Sequence, residues 1–203
     1  MINNQCCPFG EIINRKERIL HKTNNFIATP TIGPMEIEGY LLVCSKDHYI
    51  SLGEIPQKLC YELENLLNKT KKIINDNYSK EIVIFEHGPK FSSCKGGACV
   101  DHMHLHVVPT KVDLLDFLKK NFEIKKIDNF EPLREICRKA KSSYLFIENQ
   151  RRERYLCEIK DALPSQYIRQ IIAAGEKKKN WDWREYPDIK TFNKTFEKLK
   201  NKF

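Results

Sequence analysis

Nowhere in its 203 residues does this chain carry a run of about eighteen apolar residues, so no membrane-spanning helix is expected. Its first residues, Met-Ile-Asn-Asn-Gln-Cys-Cys-Pro, have neither a basic n-region nor an apolar h-region, and no secretory signal peptide is expected there. Cysteine is thin as well. Eight in 203 residues are too few for a disulfide scaffold, in a chain too long to need one. A reducing, cytoplasmic setting is the expectation. There is no internal repeat and no low-complexity linker. Acidic residues are the minority, 27 against 35 Lys and Arg, for a net charge of +8. That balance suits a polyanionic partner such as a nucleotide or nucleic acid. It also suits a chain that is simply rich in Lys, Asn and Ile, so charge alone does not choose. With 41% hydrophobic residues the length fits one ordinary domain, or one domain with a sizeable extension.

Histidine is scarce too, but not evenly so. Of six, three stand at His102, His104 and His106, with Met103, Leu105 and Val107 alternating with them. On a strand the three imidazoles share one face, roughly 6–7 Å apart, and the apolar residues face a core. One metal ion held by all three is excluded by length: the outer pair stands roughly 13 Å apart on a straight strand, and a zinc–nitrogen bond is only ~2.1 Å. Chemistry on a phosphate fits better. A neutral imidazole nitrogen attacks phosphorus, its neighbours donate to phosphate oxygens, and a row of nitrogens can follow a polyphosphate. His104, with a partner on each side, is the natural nucleophile. A solvated sheet face is the bland alternative. Just upstream, Lys95-Gly96-Gly97-Ala98 can present backbone N–H groups to an anion, with Lys95 adding charge.

Around this row the pattern predicts strands at 26–29 and 40–45, then a helix from Pro56 to about Asn77 with Leu59, Leu63, Leu66, Leu67, Ile73 and Ile74 on one face. A strand over 81–86 and the histidine strand, closed by Pro109, are expected to pair antiparallel. Beyond residue 110 the expectation is helices at 112–121 and 131–141, a hairpin of strands 144–148 and 154–159, a helix from Pro164 to Ala174, and an amphipathic lysine-rich helix from about 188. Residues 1–110 are read as the catalytic domain and 111–203 as a helical and hairpin extension docked on it.

His-Met-His-Leu-His-Val-Val resembles the signature of the histidine-triad (HIT) superfamily of nucleotide hydrolases and transferases. The segment ending Lys-Asp-His48 and the order Phe-Glu-His-Gly, Gly-Gly-Ala-Cys, triad are similar to that family over about residues 6–110. The segments Leu163–Arg169 and Trp181–Arg184 resemble C-terminal extensions of a HIT-like subgroup related to a splicing-associated family. The resemblance implies an α+β fold with an antiparallel sheet and one long packed helix, plus a mixed α/β extension. It implies that His104 attacks an α-phosphate to form a nucleotidyl-histidine, that His106 holds phosphate oxygens, that a backbone carbonyl sets the tautomer of His104, and that His102 supports the row. Glu86 stands where many members have asparagine, Cys99 where many have a phosphate-contacting serine, and Tyr40 where some have a fourth histidine. With Lys95, Gly96 and Gly97, Glu86 and Cys99 are the expected substrate contacts.

No cofactor is required by this chemistry. Zinc is the one candidate metal, through Cys6, Cys7, His48 and His102, in a motif whose second cysteine is replaced by Gly10. Candidate substrates are dinucleoside polyphosphates, phosphoramidates and adenylylated compounds, and a homodimer is one arrangement seen among relatives. Two other readings stay open: an RNA-associated protein using its basic tail, and a zinc-stabilised binding module without catalysis. His87 is read as structural or substrate-touching, and Arg169 as a phosphate clamp or an internal ion pair. Trp181 and Trp183 are read as anchors of the tail or as base-stacking residues.

Overall fold

Alternating apolar side chains from both halves of the chain build one wholly antiparallel sheet. The computed structural model describes residues 18–91, 100–139 and 142–203. Among these, the sheet has eight strands: β1 (His21–Lys22), β2 (Phe26–Pro30), β3 (Leu41–Ser45), β4 (Ile82–Gly88), β5 (His104–Pro109), β6 (Ile124–Ile127), β7 (Ser143–Glu148) and β8 (Arg154–Ile159). Their order is β1-β2-β3-β5-β4-β7-β8-β6. The fold is α+β, as expected. β5 lies between β3 and β4, with Leu42 and Phe85 both opposite His106.

The pleat sends alternate residues to opposite faces. On one face Leu105, Val107, Ile84, Leu41 and Val43 pack with Leu63, Leu66, Leu67 and Ile74 of the long helix α1 (Cys60–Asn77). On the other, Phe85, Leu42 and Cys44 pack with Ile168, Ile172 and Ala173 of a later helix (Tyr167–Gly175). The histidine row belongs to this second face, because His104 pairs with Cys44 and His106 with Leu42. The sheet is thus covered on one side by a helix preceding the row and on the other by one following it.

The remaining α-helices among the described residues are α2 (Leu114–Lys119), α3 (Glu131–Lys139), α4 (Tyr167–Gly175, the helix just described) and α5 (Ile189–Leu199). Asp188 caps α5, its Oδ1 accepting from Thr191 N–H at 3.0 Å. Five expectations change. The helix read from Pro56 begins at Cys60, because Pro56 is extended (ψ 141°) and a separate single turn, Gln57–Leu59, comes first. The histidine strand begins at His104, because Met103 N–H is taken by the Tyr49 carbonyl at 2.6 Å and His102 lies in a bend. The helix expected from Pro164 begins at Tyr167, because Gln166 is left-handed (φ 59°) and turns the chain first. Helix α2 is shorter than the 112–121 expected. Strand β6, Ile-Lys-Lys-Ile, was not expected; its short charged run is what an edge strand carries. The expected hairpin forms as β7–β8, and β7 pairs directly with β4, so the second half continues the sheet of the first.

Candidate active site

His104 and His106 are 7% and 6% exposed, their rings 4.8 Å apart between centroids. His104 Nδ1 lies 2.6 Å from the carbonyl oxygen of His102. A carbonyl only accepts, so Nδ1 carries the proton and Nε2 keeps its lone pair. His102 takes a different role from its neighbours. Its Nε2 donates to the Ser45 carbonyl at 2.7 Å, and its ring meets that of His48 edge-on at 5.1 Å. It contributes a carbonyl to the row and ties β5 to the end of β3.

His106 is enclosed. Phe85 stacks flat on it, with centroids 4.3 Å apart and planes 6° off parallel, and the Tyr40 hydroxyl sits 2.7 Å from its Nδ1. His87, two residues along β4 from Phe85, shares this face; its Nε2 accepts from Ile168 N–H at 3.1 Å, at the start of α4. Burial pushes all these imidazoles towards the neutral form. His104 falls to about 4, chiefly by burial, with lesser contributions from His102 and Arg169. Burial, then His104 and Arg169, takes His87 to about 3. His106 is held well below its usual value by burial, then by His104, Arg169 and His87.

The charge in this neighbourhood comes from Arg169 on α4, only 2% exposed. Its Nη2 donates to the carbonyls of Gly33 (2.7 Å) and Trp181 (2.6 Å), Nε also to Trp181 (3.1 Å), and Nη1 to the Tyr40 hydroxyl (3.3 Å). Among the described residues none of its partners is a carboxylate. The guanidinium is therefore neither in the expected internal ion pair nor aimed wholly at a ligand. Trp181 and Trp183, half-buried against the second core, hold the tail in place. Asp182 between them accepts from Gln166 Nε2 at 2.8 Å.

Glu86 is not with the row. Phe85 and His87 face the histidines, so the residue between them points to the α1 side. There its carboxyl accepts from Leu52 N–H at 2.7 Å and from the Tyr144 hydroxyl at 2.6 Å, 1% exposed, and burial raises it to about 8. The expected substrate contact is a buried joint beneath the sheet. Lys95, Gly96, Gly97 and Cys99 lie outside the described residues, as do Cys6, Cys7 and Gly10 of the expected zinc motif. Of that motif, His48 and His102 do stand together, and among the described residues no cluster of three or more metal-ligating side chains forms. The residues that sequence reasoning missed are Phe85 as the ring under His106 and Tyr40–Arg169 as its support. Phe85 could have been found from its alternation with His87. Nothing local marks Tyr40 and Arg169 as partners.

Residues 6–120 match the family described as scavenger mRNA decapping enzyme C-term binding. No curated protein matches. Among solved structures, a Hit-like protein involved in cell-cycle regulation from Bartonella henselae is similar at 16% identity and a TM-score of 0.45, over 68% of this chain and 95% of that one. A hypothetical histidine triad nucleotide-binding protein from Sulfolobus tokodaii is similar at 22% identity and a TM-score of 0.45, over 66% of this chain and 91% of that one. A HIT family hydrolase from Clostridium thermocellum is similar at 22% identity and 0.41, over 54% and 94%. With the family model covering more than half of its residues, the chain belongs to the scavenger mRNA decapping enzyme C-term binding family, within the histidine-triad superfamily.

Proposed function

We propose that this protein is a nucleotide hydrolase or nucleotidyl transferase acting at the α-phosphate of a nucleotide conjugate through a covalent intermediate on His104. The observation that carries the reading is the 2.6 Å contact of His104 Nδ1 with the His102 carbonyl, which leaves Nε2 as a lone pair beside His106. In the first step Nε2 bonds to phosphorus as the bond to the leaving-group oxygen breaks, and that oxygen keeps the electron pair. In the second, water or another acceptor attacks phosphorus, the P–N bond breaks with its electron pair returning to Nε2, and the attacking oxygen gives up its proton to solvent. Burial keeps His104 neutral, so no proton has to leave it before attack. His106 holds the non-bridging oxygens, and the buried Arg169 charge, which has no carboxylate partner among the described residues, favours an anion on this face. Lys95, Gly96, Gly97 and Cys99 are proposed as further phosphate contacts on the sequence alone. Dinucleoside polyphosphates lead the candidate substrates, because the family description names mRNA decapping and an mRNA cap is a 5′–5′ polyphosphate.

The test is capture of the intermediate. Protein mixed with α-³²P-labelled dinucleoside polyphosphate and quenched in alkaline detergent, where a phosphoramidate survives, is expected to retain label. His104→Asn is expected to retain none and to lose turnover. Label or full turnover in His104→Asn overturns the reading.

A further inference from the structure

Arg169 brings a buried positive charge from the second half of the chain to a row of imidazoles in the first. A guanidinium has donors only, so at the Nη1···Oη contact of 3.3 Å the Tyr40 oxygen is the acceptor. The phenol has one hydrogen of its own, and His106 Nδ1 lies 2.7 Å from its oxygen. Were Nδ1 protonated, two N–H groups would converge on that oxygen together with its own hydrogen, beside a buried cation. With Nδ1 as acceptor, the hydrogens run in one direction, Arg169 to Tyr40 to His106. The ring cannot easily turn over to exchange its nitrogens, because Phe85 lies flat against it at 4.3 Å. Arg169 is itself held by the carbonyls of Gly33 and Trp181, so its orientation is set by backbone rather than by a mobile side chain.

We propose that Arg169 is a positioning residue which, through Tyr40, fixes His106 with its proton on Nε2. His104 and His106 then carry opposite tautomers on neighbouring positions of one strand face. His104 presents a lone pair to phosphorus and His106 presents an N–H to the phosphate oxygens. Two lone pairs side by side would repel those oxygens; two N–H groups would leave no nucleophile. This inference rests on the phosphate-transfer reading for its purpose, but the tautomers exist with or without a substrate.

Long-range ¹H–¹⁵N spectra of the full chain with ¹⁵N-labelled histidine, near pH 7, read each tautomer directly. In the wild-type protein His106 is expected to show the Nε2–H pattern and His104 the Nδ1–H pattern. Tyr40→Phe removes the hydroxyl with little change of shape and is expected to turn His106 into a mixture of tautomers while His104 keeps its own. Arg169→Gln is expected to have the same effect on His106; Arg169→Lys, which retains a cationic donor, serves if the glutamine variant does not fold, and is expected to shift His106 part of the way. A wild-type His106 protonated on Nδ1 overturns the proposal, as does an unchanged His106 in Tyr40→Phe or in the folded Arg169 variant. Correct tautomers in a protein that labels no nucleotide would uphold this inference and sink the proposed function, so the two fail separately.

Discussion

At the scale of single residues, neutrality is what the site has been built to supply. A histidine at its usual value near 6.5 is partly protonated in mildly acidic solution. His104, pushed down to about 4 by burial, stays neutral well below that. The acid limb of kcat/KM is therefore expected close to pH 4 rather than 6.5, measured from pH 3.5 to 8 on a substrate that does not itself titrate there. Glu86 shows the opposite displacement on the other face. Its carboxyl, raised to about 8, is protonated in the fold at neutral pH and ionised in the unfolded chain. Between 4.5 and 8 the native state binds more protons at this position, so its contribution to stability declines as pH rises through that window. Glu86→Gln is expected to remove that decline, seen as a flatter urea midpoint between pH 6.5 and 8 and a steeper rise below 6.5, where the buried histidines pull the other way. Gly88 makes the joint between Glu86 and Tyr144 possible: a β-carbon there would overlap the Tyr144 ring.

At the scale of elements, the second half of the chain grips both faces of the first. On the α1 side, Glu148 of β7 accepts from Lys71 of α1 at 2.6 Å and from Arg154 of β8 at 2.8 Å, and Arg154 also pairs with Glu64 of α1. Glu148→Ala would leave two largely buried cations short of an acceptor. A loss of about 3–5 kcal/mol of stability is expected, measured by urea unfolding. On the histidine side, the segment carrying Trp181 and Trp183 crosses Gly33, where a β-carbon would overlap that of Trp183 and come within 2.9 Å of its Cα. Backbone cannot yield there as a flexible side chain would. Gly33→Ala is expected to lift this segment, and because the chain has only two tryptophans, both on it, their emission should shift to the red. Activity should fall with it, since the Gly33 and Trp181 carbonyls orient Arg169.

For the whole molecule, burying so many imidazoles has a cost that depends on pH. His87, His104 and His106 are all lowered in the fold and return to about 6.5 when it unfolds. Below 6.5 the unfolded chain binds more protons than the native one, so stability rises with pH there and is lost as pH falls towards 4. Urea midpoints are expected to drop steadily from pH 6.5 to 4, with the three histidines outweighing the opposite trend of Glu86. A midpoint flat over that range would contradict the buried, neutral row. The sheet itself runs on from the first half of the chain into the second, with β4 paired to β7 of the same chain.

Much of this was legible from residue order. Alternation placed His104, His106, Leu105 and Val107 on their faces, helical spacing marked α1, and the triad motif pointed to the family, because each of these is a local, periodic signal. The family resemblance puts Glu86 among the substrate contacts, and alternation does not correct it: a strand's pattern shows that neighbours diverge, but only its pairing with β5 says which of them meets the histidines. Tyr40 and Arg169 are 129 residues apart, and no period links them. The sequence by itself determined that a row of imidazoles would face one way with a core behind it. Only the tertiary structure decided what lies over that row and which nitrogen each ring presents, because hydrogen-bond partners brought together across the chain are a property of the packed sheet and not of any segment within it.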